Sequence, residues 1–141
     1  FCDSLNYLPA EEAFERFLRA TYNGLKPGGL LLFDIHAPRM FTEVFNDRTF
    51  TLNEEGLAYI WEAAYDEKGR RAVHEMTFFQ QTESGLYRRF EEIHQQHLFM
   101  PEDVLNWLEE AGFAEINRSA DFTLDPPTEA SERLFFAARR R

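Results

Sequence analysis

The order of apolar and polar positions predicts a helix, a turn and a strand near the start of the chain. Between Phe14 and Leu25 large apolar residues recur at helical spacing, behind an acidic first turn. Pro27-Gly28-Gly29 ends this helix. Residues 30–36 then read LLLFDIH, with bulky apolar side chains on both faces, as in strands buried between two layers of helices. We therefore expect a fully buried strand here, which cannot lie at a solvent-exposed edge of a sheet.

The middle of the chain has a different pattern, in which polar and apolar residues alternate. Residues 58–99 contain three β-prone segments separated by the turns Asp66–Gly69 and Thr82–Gly85. Strands joined by such short turns must be antiparallel neighbours, so a three-stranded antiparallel meander is predicted. The preceding segment, 37–57, has mixed polarity and is interpreted as a short helix or a lid-like loop.

The last part of the chain returns to a helix followed by strands. Pro101 suits the first position of a helix, and Gly112 ends that helix. Two strands are predicted after it, at 113–121 and at 134–138, with the loop Pro126-Pro127 between them. The predicted order is therefore helix, strand, antiparallel meander, helix, strand, strand.

Composition and charge narrow the class of protein. The 141 residues suffice for one domain or a large part of one. A net charge of −10 disfavours general nucleic-acid binding, because phosphate backbones attract basic proteins. The single cysteine cannot form an internal disulfide, which fits a reducing cytoplasm. No apolar run approaches the roughly 20 residues of a membrane span. Since the sequence begins with Phe1, within what reads as a strand end, we expect a fragment of a longer protein.

Four segments, in order along the chain, resemble the second half of class I S-adenosylmethionine-dependent methyltransferases. They are the loop Phe1–Tyr7, the helix end and turn Leu25–Gly29, the stretch Trp107–Phe113 and the closing strand Leu134–Ala138. The resemblance implies an α/β fold in which the strand at 30–36 is central, with the chain's final strand on one side and a neighbour missing from this sequence on the other. It implies the C-terminal half of a Rossmann-like methyltransferase sheet, mixed, with the last strand antiparallel, and with an inserted three-stranded antiparallel meander.

By this resemblance the chain is a single partial domain. It would comprise a loop, helix and central strand at 1–36, an antiparallel insert or substrate cover at 58–99, and a helix and two final strands at 100–141. The family's Gly-rich cofactor loop is absent, because Gly28-Gly29 precedes a strand, whereas a cofactor-binding loop opens a helix. The implied cofactor, S-adenosylmethionine, is therefore expected to be held in the full-length parent.

The resemblance places the cofactor beside the first residues of the chain and implies that Phe1, Cys2, Asp3 and Asn6 line it. The residues themselves also allow a structural role, in which Asp3 caps a turn and Asn6 bonds local backbone. His36 follows the predicted strand, at the carboxyl edge where open α/β sheets bind ligands. It is a candidate catalytic base for the methyl acceptor, or else a structural histidine bonded to backbone.

Three residues of the predicted meander, Tyr59, Trp61 and Arg89, are candidates for substrate binding. Tyr59 and Trp61 share one face of a strand, because side chains alternate between faces. Arg89 could hold a substrate carboxylate by paired hydrogen bonds, although the nearby Glu91 could satisfy it equally well. The aromatic residues could instead form a packing face or a dimer contact. The histidine spacings match no zinc pattern, so no metal site is predicted.

Taken together, these features predict an enzyme that transfers a methyl group from S-adenosylmethionine to a small-molecule acceptor in its full-length form. General nucleic-acid binding and membrane binding are not expected. One alternative is a non-catalytic or truncated interaction module that oligomerises through its sheet, as a homodimer or a strand-swapped oligomer, because the central strand lacks a neighbour. Another is half of a nicotinamide-dependent dehydrogenase, since open α/β sheets support both chemistries.

Overall fold

The computed structural model describes residues 2–141, which divide into two compact units. The first unit runs to Met40 and resumes with His97–Arg141, and the second unit is Phe41–Gln96. The two ends of the chain therefore fold together, and the segment between them is compact in its own right.

The elements are named in chain order. They are the 3₁₀ helix Ser4–Tyr7, helix α1 (Glu11–Gly24), strand β1 (Leu30–His36), the π-helix Met40–Val44, strands β2 (Arg48–Glu54), β3 (Leu57–Asp66), β4 (Arg71–Gln81) and β5 (Tyr87–His97), helix α2 (Pro101–Ala111), and strands β6 (Phe113–Ala120) and β7 (Arg133–Arg140). One sheet has the order β1-β7-β6 and the other the order β2-β3-β4-β5. Strand β7 is antiparallel to both of its neighbours, so the predicted antiparallel last strand is confirmed.

Both helices end where their sequences require. Helix α1 terminates before the glycine-containing turn, and the Arg140 guanidinium donates hydrogen bonds to the carbonyl oxygens of Asn23 and Leu25 there. Such bonds satisfy carbonyl groups that have no partner within the helix. Helix α2 ends at Gly112, whose φ of 103° lies in the left-handed region that glycine adopts without strain. Its amide donates to the carbonyl oxygens of the last turn, which closes the helix.

The core of the first unit lies between the two helices and one face of the sheet. Phe14 and Leu18 of α1 and Leu108 of α2 have no exposed surface. They belong to one buried cluster with alternate residues of β1, namely Leu31, Phe33 and Ile35. Burying one such side chain contributes about 1.5–3 kcal/mol, so this layer of helices on sheet is the main source of the unit's stability.

The outer face of β1 departs from the sequence prediction. Leu30 and Leu32 are 47% and 54% exposed, so the expectation of a fully buried strand is wrong for these two positions. Within the described residues α1 and α2 contribute to the core on the other face, and β1 forms its ladder with β7 alone. Apolar residues on both faces indicated burial, but this chain covers one face of the strand.

The second unit contains one strand more than predicted. The three predicted strands of the meander are confirmed as β3, β4 and β5, and β2 joins them as a fourth antiparallel strand. In the segment 37–57, where a short helix or a loop was expected, the first part forms the π-helix Met40–Val44 and the second part forms β2. The missed signal is the alternation of Phe50 and Leu52 with polar residues, which places both side chains opposite apolar partners of β3. Phe50 packs on Trp61 with ring centroids 4.5 Å apart, and this contact anchors the additional strand.

Candidate functional site

The outer face of β1 changes from apolar to polar towards the carboxyl end of the strand. Leu30 and Leu32 are exposed, whereas Asp34 and His36, further along the same face, are 2% and 8% exposed. The 3₁₀ helix Ser4–Tyr7 packs against β1. Ligands of open α/β sheets bind at this end of the strands. We refer to the polar residues gathered there as the carboxyl-edge cluster: Asp3, Asn6, Asp34, His36 and Arg133.

Arg133 is the cation of the carboxyl-edge cluster. It is the first residue of β7, and the antiparallel register places it opposite His36. Its guanidinium donates hydrogen bonds to the Asp34 carboxylate and, over 3.0 Å, to Asp3 Oδ1. The Asp3 amide donates to Asp34 Oδ2 over 2.9 Å. One buried carboxylate is therefore bonded both to a strand 99 residues away and to the start of the chain.

These bonds decide the ionisation of the paired groups. Burial alone would raise the pKa of Asp34, but hydrogen bonds, including those from the Asp3 amide and the Arg133 guanidinium, outweigh it and lower the pKa. Burial would likewise lower the pKa of Arg133, and its bonds to Asp34 and Asp3 raise that pKa instead. Both groups are therefore charged at neutral pH, and the pair is a partly buried ion pair.

Asn6 and His36 connect the start of the chain to the end of β1. Asn6 is fully buried; its Oδ1 accepts a hydrogen bond from the His36 amide, and its Nδ2 donates to the His97 carbonyl oxygen, both over 2.9 Å. The Asn6 carboxamide therefore bonds backbone groups, as the structural role suggested for it would have it. These backbone groups, however, are distant from Asn6 in the sequence. These two bonds tie the 3₁₀ helix to the end of β1 and to His97. The His36 Nε2 atom lies 3.4 Å from Asp3 Oδ2.

The segment in front of the 3₁₀ helix has an unusual backbone. Cys2 and Asp3 have φ values of 48° and 54°, in the left-handed region that non-glycine residues rarely adopt. Cys2 is exposed, and Tyr7 is 47% exposed, at the surface of the same segment. Phe1, the remaining residue expected beside the cofactor, lies outside the described residues. The segment therefore presents Cys2 and Tyr7 outward while Asp3 and Asn6 fix it from within.

A cleft opens beside the carboxyl-edge cluster, within the first unit. Its volume is about 430 Å³, and its lining comprises His36, Met40, Asp121, Phe122, Ala130, Glu132 and Arg133. Asp121 Oδ1 accepts hydrogen bonds from the Arg133 and Glu132 amides, over 3.0 and 2.9 Å, and these bonds lower the pKa of Asp121. The carboxylate thereby fixes the backbone at the start of β7. His36, the predicted catalytic candidate, borders this cleft.

The three predicted substrate-binding residues lie in the second unit but not on one face of its sheet. Tyr59 and Trp61 share a face of β3, as predicted, and the Tyr59 ring packs on Phe78 of β4 at 5.9 Å. Phe78 in turn stacks on Phe90 of β5, which places Phe90 on that same face. Arg89, the adjacent residue, therefore points to the opposite face. Its guanidinium donates a hydrogen bond to the exposed Glu91 carboxylate.

A buried histidine of the second unit joins three strands. Trp61 Nε1 donates a hydrogen bond to His74 Nδ1 over 3.1 Å, and His74 Nε2 lies 3.2 Å from Gln96 Oε1. Since Nδ1 accepts, Nε2 carries the proton and donates to Gln96. This arrangement is structural. Among the described residues no group of three or more His, Cys, Asp or Glu could hold a metal ion.

Comparisons of sequence and structure relate the chain to known proteins. No protein-family profile matches the chain. It is 41% identical over 140 residues to "Putative methyltransferase GWCH70_2453" of Geobacillus sp. (strain WCH70), spanning 99% of this chain and 57% of that protein. The chain therefore spans little more than half of the length of this relative.

Solved structures with a similar fold include two methyltransferases. One is an S-adenosylmethionine-dependent methyltransferase from Clostridium acetobutylicum, with a TM-score of 0.89 and 22% identity, covering 97% of this chain and 55% of that one. The other is CalS10 from Micromonospora echinaspora, an amino pentose methyltransferase solved with bound S-adenosylmethionine, with a TM-score of 0.71, 22% identity, and coverage of 99% and 55%. Within residues 2–141, none of the helices combines the length and the apolar character that crossing a membrane requires. The chain thus has the fold of part of an S-adenosylmethionine-dependent methyltransferase, and its relative in sequence carries a methyltransferase name.

Proposed function

We propose that the protein, in its full length, transfers a methyl group from S-adenosylmethionine to a small-molecule acceptor. The observation that carries this proposal is the match of nearly the whole chain, at a TM-score of 0.89, to part of an S-adenosylmethionine-dependent methyltransferase. The relative that is 41% identical supports the same chemistry. The described residues would supply one flank of the cofactor site, together with the cleft next to it.

The residues present fit such a flank. The segment Cys2–Tyr7 lies at the carboxyl edge of β1 and presents exposed Cys2 and Tyr7 side chains, while Asp3 and Asn6 secure it. When bound, the cofactor supplies the reactive methyl group on its sulfonium. The protein's part in such a displacement is mainly to align the acceptor with that methyl group, within about 3–3.5 Å.

His36 is the proposed base of this site. Its Nε2 atom faces the Asp3 carboxylate at 3.4 Å, which favours the tautomer that carries its proton on Nε2. An imidazole at this position could take a proton from an amine or hydroxyl acceptor. Tyr59 and Trp61 are proposed as acceptor contacts on the aromatic face of the second unit, and Arg89 is proposed as an acceptor contact on the opposite face.

The proposal is tested by titrating S-adenosylmethionine into the full-length protein in a calorimeter. We expect saturable heat that excess S-adenosylhomocysteine, the demethylated product, abolishes. A titration without heat, and without competition between the two compounds, would overturn the proposal. Titration with a nicotinamide dinucleotide is the matched control and should give no heat, because the dehydrogenase alternative predicts the reverse pattern.

An interaction module is the second candidate function, and one observation favours it. Leu30 and Leu32 are about half exposed on β1, which has a ladder partner on one side within the described residues. Exposed apolar edge strands tend to pair with another chain. Sedimentation of the protein at micromolar concentration distinguishes the candidates: a stable monomer that binds S-adenosylmethionine excludes the module, and an oligomer without cofactor binding favours it.

A further inference from the structure

The turn at Cys2 and Asp3 is strained. Both residues have left-handed φ values of 48° and 54°, which place the side chain of an L-residue close to its own carbonyl group. Such a conformation persists where the surrounding structure over-determines it, and strained turns of this kind cluster at ligand sites. The turn must therefore be held by contacts from outside its own segment.

Those contacts converge on Arg133. Its guanidinium donates to the Asp34 carboxylate and to Asp3 Oδ1, and Asp34 in turn accepts the Asp3 amide. The planar fork of an arginine suits two carboxylates at once, whereas a lysine offers one point charge. Asp121 fixes the Arg133 amide, so the strand that carries the guanidinium is itself anchored. The bonds among Arg133, Asp34 and Asp3 join residues that are 31, 99 and 130 positions apart in the sequence.

We propose that Arg133 is a positioning residue, which holds the segment Cys2–Tyr7 in the conformation that receives the cofactor. The inference rests on the proposed function. In this role Arg133 acts through Asp3 and Asp34, to which its guanidinium donates hydrogen bonds. Without it the turn relaxes to an unstrained backbone, and the bound cofactor must then order the segment again. Binding to a segment that is not preorganised is weaker, here by about tenfold.

The experiment compares cofactor affinity in the full-length protein and three variants. Arg133→Met removes the guanidinium, Arg133→Lys keeps its charge without the fork, and Arg118→Met is the control. Arg118 lies on β6 and bonds the exposed Glu102, outside the carboxyl-edge cluster. Calorimetric titration with S-adenosylmethionine should show about tenfold weaker binding for Arg133→Met, a few-fold loss for Arg133→Lys, and no change for the control.

Amide hydrogen exchange gives a second readout that does not need the cofactor. The amides of Asp3 and Asn6, which are bonded in the native segment, should exchange at least tenfold faster in Arg133→Met, while amides of the core of α1 keep their rates. If Arg133→Met does not fold, Arg133→Lys carries both measurements. Folded variants with unchanged affinity and unchanged exchange would overturn the inference. A wild-type protein that binds no S-adenosylmethionine would instead overturn the proposed function, and the exchange rates would still decide whether Arg133 holds the segment.

Discussion

Replacing His74 by phenylalanine should destabilise the protein by about 2 kcal/mol. His74 is 4% exposed and joins three strands of the second unit by accepting from Trp61 Nε1 and donating to Gln96 Oε1. A phenylalanine ring would keep the shape, and with it the edge contact with Phe45, whose centroid lies 4.7 Å away. It would remove both nitrogen atoms. The substitution therefore isolates the hydrogen bonds from the packing.

The expected magnitude follows from those two bonds. Loss of a hydrogen bond costs about 0.5–1.5 kcal/mol, and a partly buried donor left without its acceptor costs about 1–3 kcal/mol. Trp61 Nε1 would be such a donor. The less polar ring offsets part of this cost, because an imidazole needs its partners in order to be buried and a phenyl ring does not. The balance is about 2 kcal/mol of unfolding free energy.

Urea unfolding followed by circular dichroism and by tryptophan fluorescence would measure this loss. His94→Phe is the matched control, since His94 lies on the neighbouring β5, is partly exposed and faces the exposed Glu92 carboxylate at 3.1 Å. The control should stay within about 0.5 kcal/mol of the wild type. Equal stabilities for the two variants would refute the reasoning, because they would show that the buried bonds of His74 contribute no more than an exposed contact.

Three further predictions concern the first unit. Gly112→Ala should cost about 2 kcal/mol in urea unfolding, because φ is +103° there and an added Cβ would lie 3.0 Å from the Tyr22 ring, whereas Gly24→Ala meets no atom within 4 Å and should be neutral or slightly stabilising. The hydrogen bonds that lower the pKa of Asp34, against the opposing effect of burial, should stabilise the fold above pH 3.8, the ordinary value. That contribution is lost as the pH falls through the lowered pKa, so Asp34→Asn should flatten the acid limb of the stability curve; an unchanged limb would contradict the assignment. Leu18→Ala, at a position with no exposed surface, should cost about 2–5 kcal/mol in the same urea assay, and a loss below 1 kcal/mol would argue against the core described for this unit.

Much of the fold could be predicted from the sequence because its signals are local. The acidic first turn of α1, the proline at the start of α2 and the glycine after α2 each act within a few residues, and the structure confirms all three. Strand β2 was missed because its alternating pattern contains just two large apolar residues, Phe50 and Leu52, which is a weak local signal. The residues that pair with them lie on β3. The exposure of Leu30 and Leu32 could not be predicted. An apolar pattern indicates which side chains of a strand can be buried, but it does not indicate whether the chain contains the elements that would cover them.

The site was less accessible to prediction, and for a related reason. His36 and Asp3 were singled out from the sequence because they lie next to recognisable elements, and their roles remain predictions. Arg133 was not, because its role depends on a register that brings the first residue of β7 beside the end of β1. Asp34 was interpreted as part of an apolar strand. A carboxylate within such a strand needs a partner that bonds it in the buried state, so its presence indicated that a partner exists. The sequence alone does not name that partner.

The most direct test of the central claim is to locate the cofactor on the chain. Full-length protein would be irradiated in the presence of S-adenosylmethionine labelled in its methyl group, and the labelled peptides would be mapped by mass spectrometry. The proposed function predicts label on the peptide that contains Cys2–Tyr7, which disappears when S-adenosylhomocysteine is in excess. Label that competes in this way but maps entirely outside that segment, or the absence of any competed label, would contradict the claim that the carboxyl edge of β1 flanks the cofactor.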